Sequence, residues 1–93
     1  MQARALAEAR VDADRMLLAT RSALALDADL LSPNERAEID SLMVSVEDAR
    51  QNGDAATIEA ATKALANGTE AFAAERMNRG IQKALSGKNI EAI

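Results

Sequence analysis

One proline and one early glycine divide this chain. Pro33 is its only proline, and Gly53 is its only glycine before residue 67. Over the whole chain, 22 of the 93 residues are alanine and 10 are leucine. Alanine favours the helix because it loses no side-chain freedom there. The chain is therefore expected to be all-α, in three helical segments broken at 27–32 and at 53.

The first segment, 2–26, places Leu6, Ala9, Ala13, Met16, Leu17, Thr20 and Leu24 at steps of three or four, which is one face of a helix. A second row, Val11, Leu18 and Ala25, recurs every seven residues on a neighbouring face. A peripheral helix needs one apolar face only. The second row is therefore a candidate docking face for something outside the segment.

The second segment, 33–52, opens at Ser32-Pro33-Asn34-Glu35. Ser32 can cap the free N–H groups, Glu35 completes a capping box, and Pro33 fills the first helical position, where its missing N–H costs nothing. Ile39, Leu42, Met43, Val46 and Ala49 form its core face. Asn52-Gly53 is expected to end it with Gly53 in the left-handed conformation.

The third segment, 54–86, starts at Asp54, a good N-cap. Ile58, Leu65 and Phe72 lie seven apart, and Ala61, Thr62, Thr69, Ala73, Met77, Ile81, Ala84 and Leu85 extend the stripe. Asn67-Gly68 interrupts it without shifting its period. This predicts one long helix with a bend there, or two nearly collinear helices. Ser86-Gly87 is expected to end the helix, with 87–93 a frayed tail. Met16, Met43 and Met77 read as gap-fillers of the core.

At 1.5 Å per residue the segments span roughly 37, 30 and 48 Å. Short links force antiparallel neighbours. The expected architecture is a single-domain, up-down-up three-helix bundle over 1–93. Its third helix overshoots the first corner, so the apolar residues of 76–85 would project and need a partner.

The composition excludes several chemistries. The chain has no cysteine and no histidine, and Phe72 is its one aromatic residue. Disulfides, zinc sites built on Cys or His, and His- or Cys-based catalytic pairs are ruled out. So is an aromatic platform for stacking bases. Residues 27–75 carry eleven acids against Arg36, Arg50 and Lys63, a net −8, whereas 76–93 carry net +3. The acidic middle would repel phosphates, so no nucleic-acid partner is expected. The basic residues near the end are expected to complement a helix C-terminus. No apolar run approaches the 18 residues that read as a membrane span. Arg4, Glu8 and Arg10 interrupt any signal-peptide core. A cytoplasmic location and no membrane partner are therefore expected.

Asp27, Asp29 and Glu38 mimic three positions of a calcium loop, but Leu31 and Ser32 stand where an oxygen ligand and a sharp-turn glycine belong. Asn67-Gly68-Thr69 matches a glycosylation sequon in mid-helix and reads as coincidence. No catalytic, cofactor or metal site is expected.

Three stretches carry a resemblance. They are Asp14-Arg15-Met16-Leu17-Leu18, Leu30-Leu31-Ser32-Pro33-Asn34-Glu35-Arg36, and Asn52-Gly53-Asp54 followed by Ile58-Glu59. Together they resemble the C-terminal helical lid of the heat-shock-protein-70 chaperone class. Phe72-Ala73-Ala74-Glu75-Arg76-Met77 and the run Ala84 to Ile93 resemble the branch of that class specialised for iron–sulfur cluster assembly. The resemblance covers nearly the whole chain. It implies a C-terminal piece of a longer chaperone.

The resemblance also implies a function. Such a lid covers a peptide held by a β-rich subdomain of the same parent chain, closed with ADP and open with ATP, and does no chemistry itself. ATP would be the parent's cofactor, with none in this segment. The parent's partners would be a client protein, the iron–sulfur scaffold, and a J-type co-chaperone. Asp14 falls where the class places a latch carboxylate that pairs with an arginine of the β subdomain. Leu18 replaces the polar residue that usually assists it. Val11, Leu18 and Ala25 would rest on that subdomain. The competing readings of the residues are a free-standing helical adaptor and a self-associating helical module.

Overall fold

The capping pattern at Ser32 sets the start of the second helix. In the computed structural model, which describes residues 2–92 and the side chains of 4–85, Ser32 Oγ accepts from the Glu35 N–H at 3.2 Å. Glu35 Oε1 accepts in return from the Ser32 N–H at 3.0 Å. With Pro33 at the first helical position, α2 runs Pro33–Asn52. Before it come α1, Gln2–Asp27, and a single 3-10 turn, Ala28–Leu30. After it come α3, Ala55–Gly68, and α4, Glu70–Ala92. The described residues are all helical, without strands. Ser32→Ala removes one arm of the box and is expected to cost about 0.5–2 kcal/mol of stability, read from urea unfolding.

Four helices are described, because the third segment takes the second of its two expected forms and is split. The predicted third helix is divided at Thr69, whose φ of −105° and ψ of 3° leave the helical region. Its hydroxyl donates to the Leu65 and Ala66 carbonyls at 3.0 and 3.1 Å. Such back-bonding by threonine competes with the helical ladder and bends it. The ladder then resumes, with the Ala73 N–H donating to the Thr69 carbonyl at 2.9 Å. Gly68, just before the break, sits tight on α2, since a Cβ there would lie 2.4 Å from Leu42 Cδ1.

Two other expectations about helix ends are corrected. Gly53 does end α2, with its N–H donating to the Ala49 carbonyl at 2.7 Å, but its φ is −96° and not left-handed. Glycine is needed there for space. A Cβ would sit 2.8 Å from the Ala49 carbonyl oxygen and 3.0 Å from Thr57 Cβ. At the far end, Ser86-Gly87 does not stop α4, which continues to Ala92. A glycine inside a helix costs about 1 kcal/mol and does not by itself end one. Met1 and Ile93, the outer residues of the expected domain, lie outside the described residues.

α3 packs on both α1 and α2 and so holds the centre of the molecule. Ile58 and Leu65 of α3 and Val46 of α2 are the largest wholly buried side chains. Ala9, Ala13, Leu17, Leu24, Ile39, Ala49 and Phe72 complete the core with Ala23, which the sequence pattern missed. Thr20 is buried among them with its hydroxyl donating to the Met16 carbonyl at 2.8 Å, so it leaves no unpaired donor. Leu42 and Met43, expected in the core, pack at its edge.

The apolar stripe of the third segment does not stay in the core. Phe72 is its last buried member, and Met77, Ile81 and Leu85 face solvent. Met77 is 69% exposed, which corrects its assignment as a core gap-filler. The molecule measures 60 × 29 × 17 Å.

Candidate docking site

The face of α1 that turns away from α3 carries the second apolar row. Val11 is 47% exposed and Leu18 is 67% exposed. Ala25 is exposed as well but lies elsewhere, lining a shallow groove against α2 with Leu24, Arg36 and Met43. Leu26, next to it in sequence, is 73% exposed. Single exposed leucines are ordinary, whereas several on one helix leave apolar area that a partner can cover. The structure therefore places Val11 and Leu18 on an open face and Ala25 in the groove against α2.

Asp14 stands one turn before Leu18, and its carboxylate is already engaged. Arg50, in the last turn of α2, sets Nε 2.5 Å from Oδ1 and donates from Nη2 to Oδ2 at 3.1 Å. The Arg50 carbonyl accepts from Arg10 Nε at 3.3 Å. One turn of α2 earlier, Glu47 pairs with Arg21. These residues are half-exposed, so each pair contributes little stability alone. Their effect is to fix the relative placement of α1 and α2 beside the apolar row. Sequence reasoning missed Arg50 as the partner of Asp14, because its place in the last turn of α2 suggests only a response to the helix dipole.

A second cluster of charges joins the corner to α4. Asp27, at the end of α1, accepts from Arg76 Nε at 2.8 Å and from Arg79 Nη1 at 3.1 Å. Asp29 accepts from Arg79 Nη1 at 2.9 Å and Nη2 at 2.6 Å. Two of the three acids weighed as calcium ligands are thus taken by arginines. The hydrogen bond from Arg76 holds the Asp27 carboxyl below the usual carboxylate range, and that from Arg79 does the same for Asp29. The Ser32 backbone N–H lowers Glu35, and Thr57 lowers Asp54, whose Oδ1 caps α3.

These four depressed values set the acid behaviour. Each group binds fewer protons folded than unfolded, so stability rises with pH and is complete above the unfolded values near 4. It is lost as pH falls through the lower folded values. The thermal midpoint is expected to be level above about pH 5 and to drop below about pH 4, with a smaller drop in Asp27→Asn.

Between α1 and the α3–α4 junction lies a cavity of about 160 Å³ lined by Met16, Ala19, Ala23, Thr69, Phe72 and Arg76. The Arg76 guanidinium stands 5.9 Å from the centre of the Phe72 ring. Its walls are small and apolar apart from Arg76 and the threonines Thr20 and Thr69. Among the described residues no three acids converge on a point where an ion would bind. No helix among them is long and apolar enough to cross a membrane.

No family model matches the chain. Its sequence is nonetheless close to that of curated chaperones. The chaperone protein HscA homolog of Variovorax paradoxus (strain S110) is 64% identical over all 93 residues. That of Paracidovorax citrulli (strain AAC00-1) is 61% identical, and that of Burkholderia orbicola (strain MC0-3) is 53% identical, again over the whole chain. The chain matches the C-terminal part of these HscA homologues. It spans about 15% of the length of the curated HscA relatives it matches. The resemblance read from the Ser32 corner, the Gly53 link and the Phe72–Met77 stretch therefore holds across the full 93 residues.

Proposed function

We propose that this chain is the lid of an HscA-type chaperone, a rigid helical cover for the peptide-binding subdomain of its parent. The observation that carries this reading is the two-sided character of α1. One side is buried against α3, and the other presents Val11 and Leu18 to solvent. A helix of this kind can be fixed to a bundle and still seat on a second surface.

In this reading the helices follow an up-down-up order. The pairing of Asp14 with Arg50 and of Arg21 with Glu47 supports opposed directions for α1 and α2. The name of the relatives supports a chaperone as parent. ATP would bind in the remainder of that parent, as would the J-type co-chaperone. The client would be the iron–sulfur scaffold, in the cytoplasm. Asp14 would serve as the latch by exchanging Arg50 for an arginine of the peptide-binding subdomain.

The test uses the full-length parent chain. Leu18→Asp places a charge on the seating face without touching the core. It is expected to speed release of a bound client peptide in the ADP state by about tenfold, the effect of a lost apolar contact plus a desolvated charge. Asp14→Asn is expected to act in the same direction and more weakly. Unchanged release in Leu18→Asp, with the helical content intact, overturns the lid.

A further inference from the structure

Phe72 is the last residue of α4 that the core holds. Beyond it Met77, Ile81 and Leu85 are exposed, and a Cβ placed on Gly80 would meet nothing within 4 Å. Apolar packing therefore does not fix the direction of α4 past its first turn. The charges at the corner do. Arg76, Arg79 and Lys83 follow each other at steps of three and four, which puts them on one face of the helix. Both carboxylate oxygens of Asp27 and both of Asp29 are occupied by the two arginines, and Lys83 adds to the positive field at Asp29.

This cluster differs from the other ion pairs of the molecule. The Asp27 side chain is 15% exposed and that of Arg79 29%, against 40% or more for both partners in the pairs outside the cluster, while Asp29 at its rim is 67% exposed. The face it occupies lies opposite Met77, Ile81 and Leu85, so holding Arg76 and Arg79 at the corner turns the apolar row outward. The break that would let α4 swing is also present. Thr69 is already out of helical geometry seven residues before Arg76.

We propose that Asp27, Asp29, Arg76 and Arg79 form an electrostatic clasp that sets the direction of α4 about Thr69, and that opening it frees α4 while the α1–α2–α3 core stays folded. A freed α4 has little to protect it, because single helices of this length are marginal in water without packing. The clasp is open enough to solvent to respond to salt, since screening shortens to about 3 Å at 1 M. The inference stands apart from the lid reading, as it concerns only contacts within this chain.

Amide hydrogen exchange on the 93-residue chain tests it. In the double variant Asp27→Asn with Asp29→Asn, exchange over 76–85 is expected to quicken about tenfold, while α3 amides keep their protection. In 1 M salt the parent sequence is expected to move in the same sense. Unchanged exchange over 76–85 in the double variant overturns the proposal. So does loss of α3 protection in step with α4, or failure of that variant to fold, because either makes the cluster part of the core's stability and not a separate clasp.

Discussion

Leu65→Ala is expected to lower stability by about 2–5 kcal/mol, the range for truncating a large apolar side chain in a packed core. Leu65 is wholly buried and sits on α3, the helix that contacts both α1 and α2. Removing its branched end takes away apolar burial and leaves a void that rigid neighbours fill poorly. In a domain of this size each kcal/mol moves the thermal midpoint by about 4–8 °C. A fall of at least about 8 °C is therefore expected in circular dichroism melting. A fall of only a degree or two would mean that α3 is not the centre of the core.

Ala13→Leu is expected to be nearly as damaging for the opposite reason. Ala13 has no exposed surface at all. Added methylenes there must displace neighbours, and overpacking costs about 1–3 kcal/mol, occasionally more. The control lies on the same helix. Ala19 is exposed at the rim of the cavity beside Phe72, and Ala19→Leu is expected to change stability by no more than about 0.5 kcal/mol. Urea unfolding of the two variants separates them. If both behave alike, the buried alanines of α1 do not define a close approach between helices.

Much of the core was legible because periodicity reports a face directly. Ala9, Ala13, Leu17, Thr20 and Leu24 are buried as their spacing predicts, and so are Ile39, Val46, Ile58, Leu65 and Phe72. The start of α2 was legible because its capping chemistry is local. What periodicity does not report is whether anything stands opposite the face. Met77, Ile81 and Leu85 keep the stripe of Leu65 and Phe72 but pass beyond the end of α1, where no helix receives them. The division of the third segment at Thr69 arises from a threonine that bonds back to its own helix beside a close approach to Leu42, and only the nearby Asn67-Gly68 hinted at it. The partners of the charged residues were the least legible part. Asp14 and Arg50 are 36 positions apart, and Asp27 and Arg76 are 49 apart. Spacing rules reach only three or four positions along a helix.

The engagement of Asp14 by Arg50 has a thermodynamic consequence for any cation arriving from outside. The newcomer enters a competition and does not find a vacancy. Since both oxygens are held in the resting form, what it gains is the difference between two similar ion pairs, not the full worth of one. Such an exchange is close to isoenergetic, so modest changes elsewhere on the surface decide which guanidinium wins. A carboxylate with a resident partner is suited to rapid, reversible swapping and poorly suited to permanent fastening.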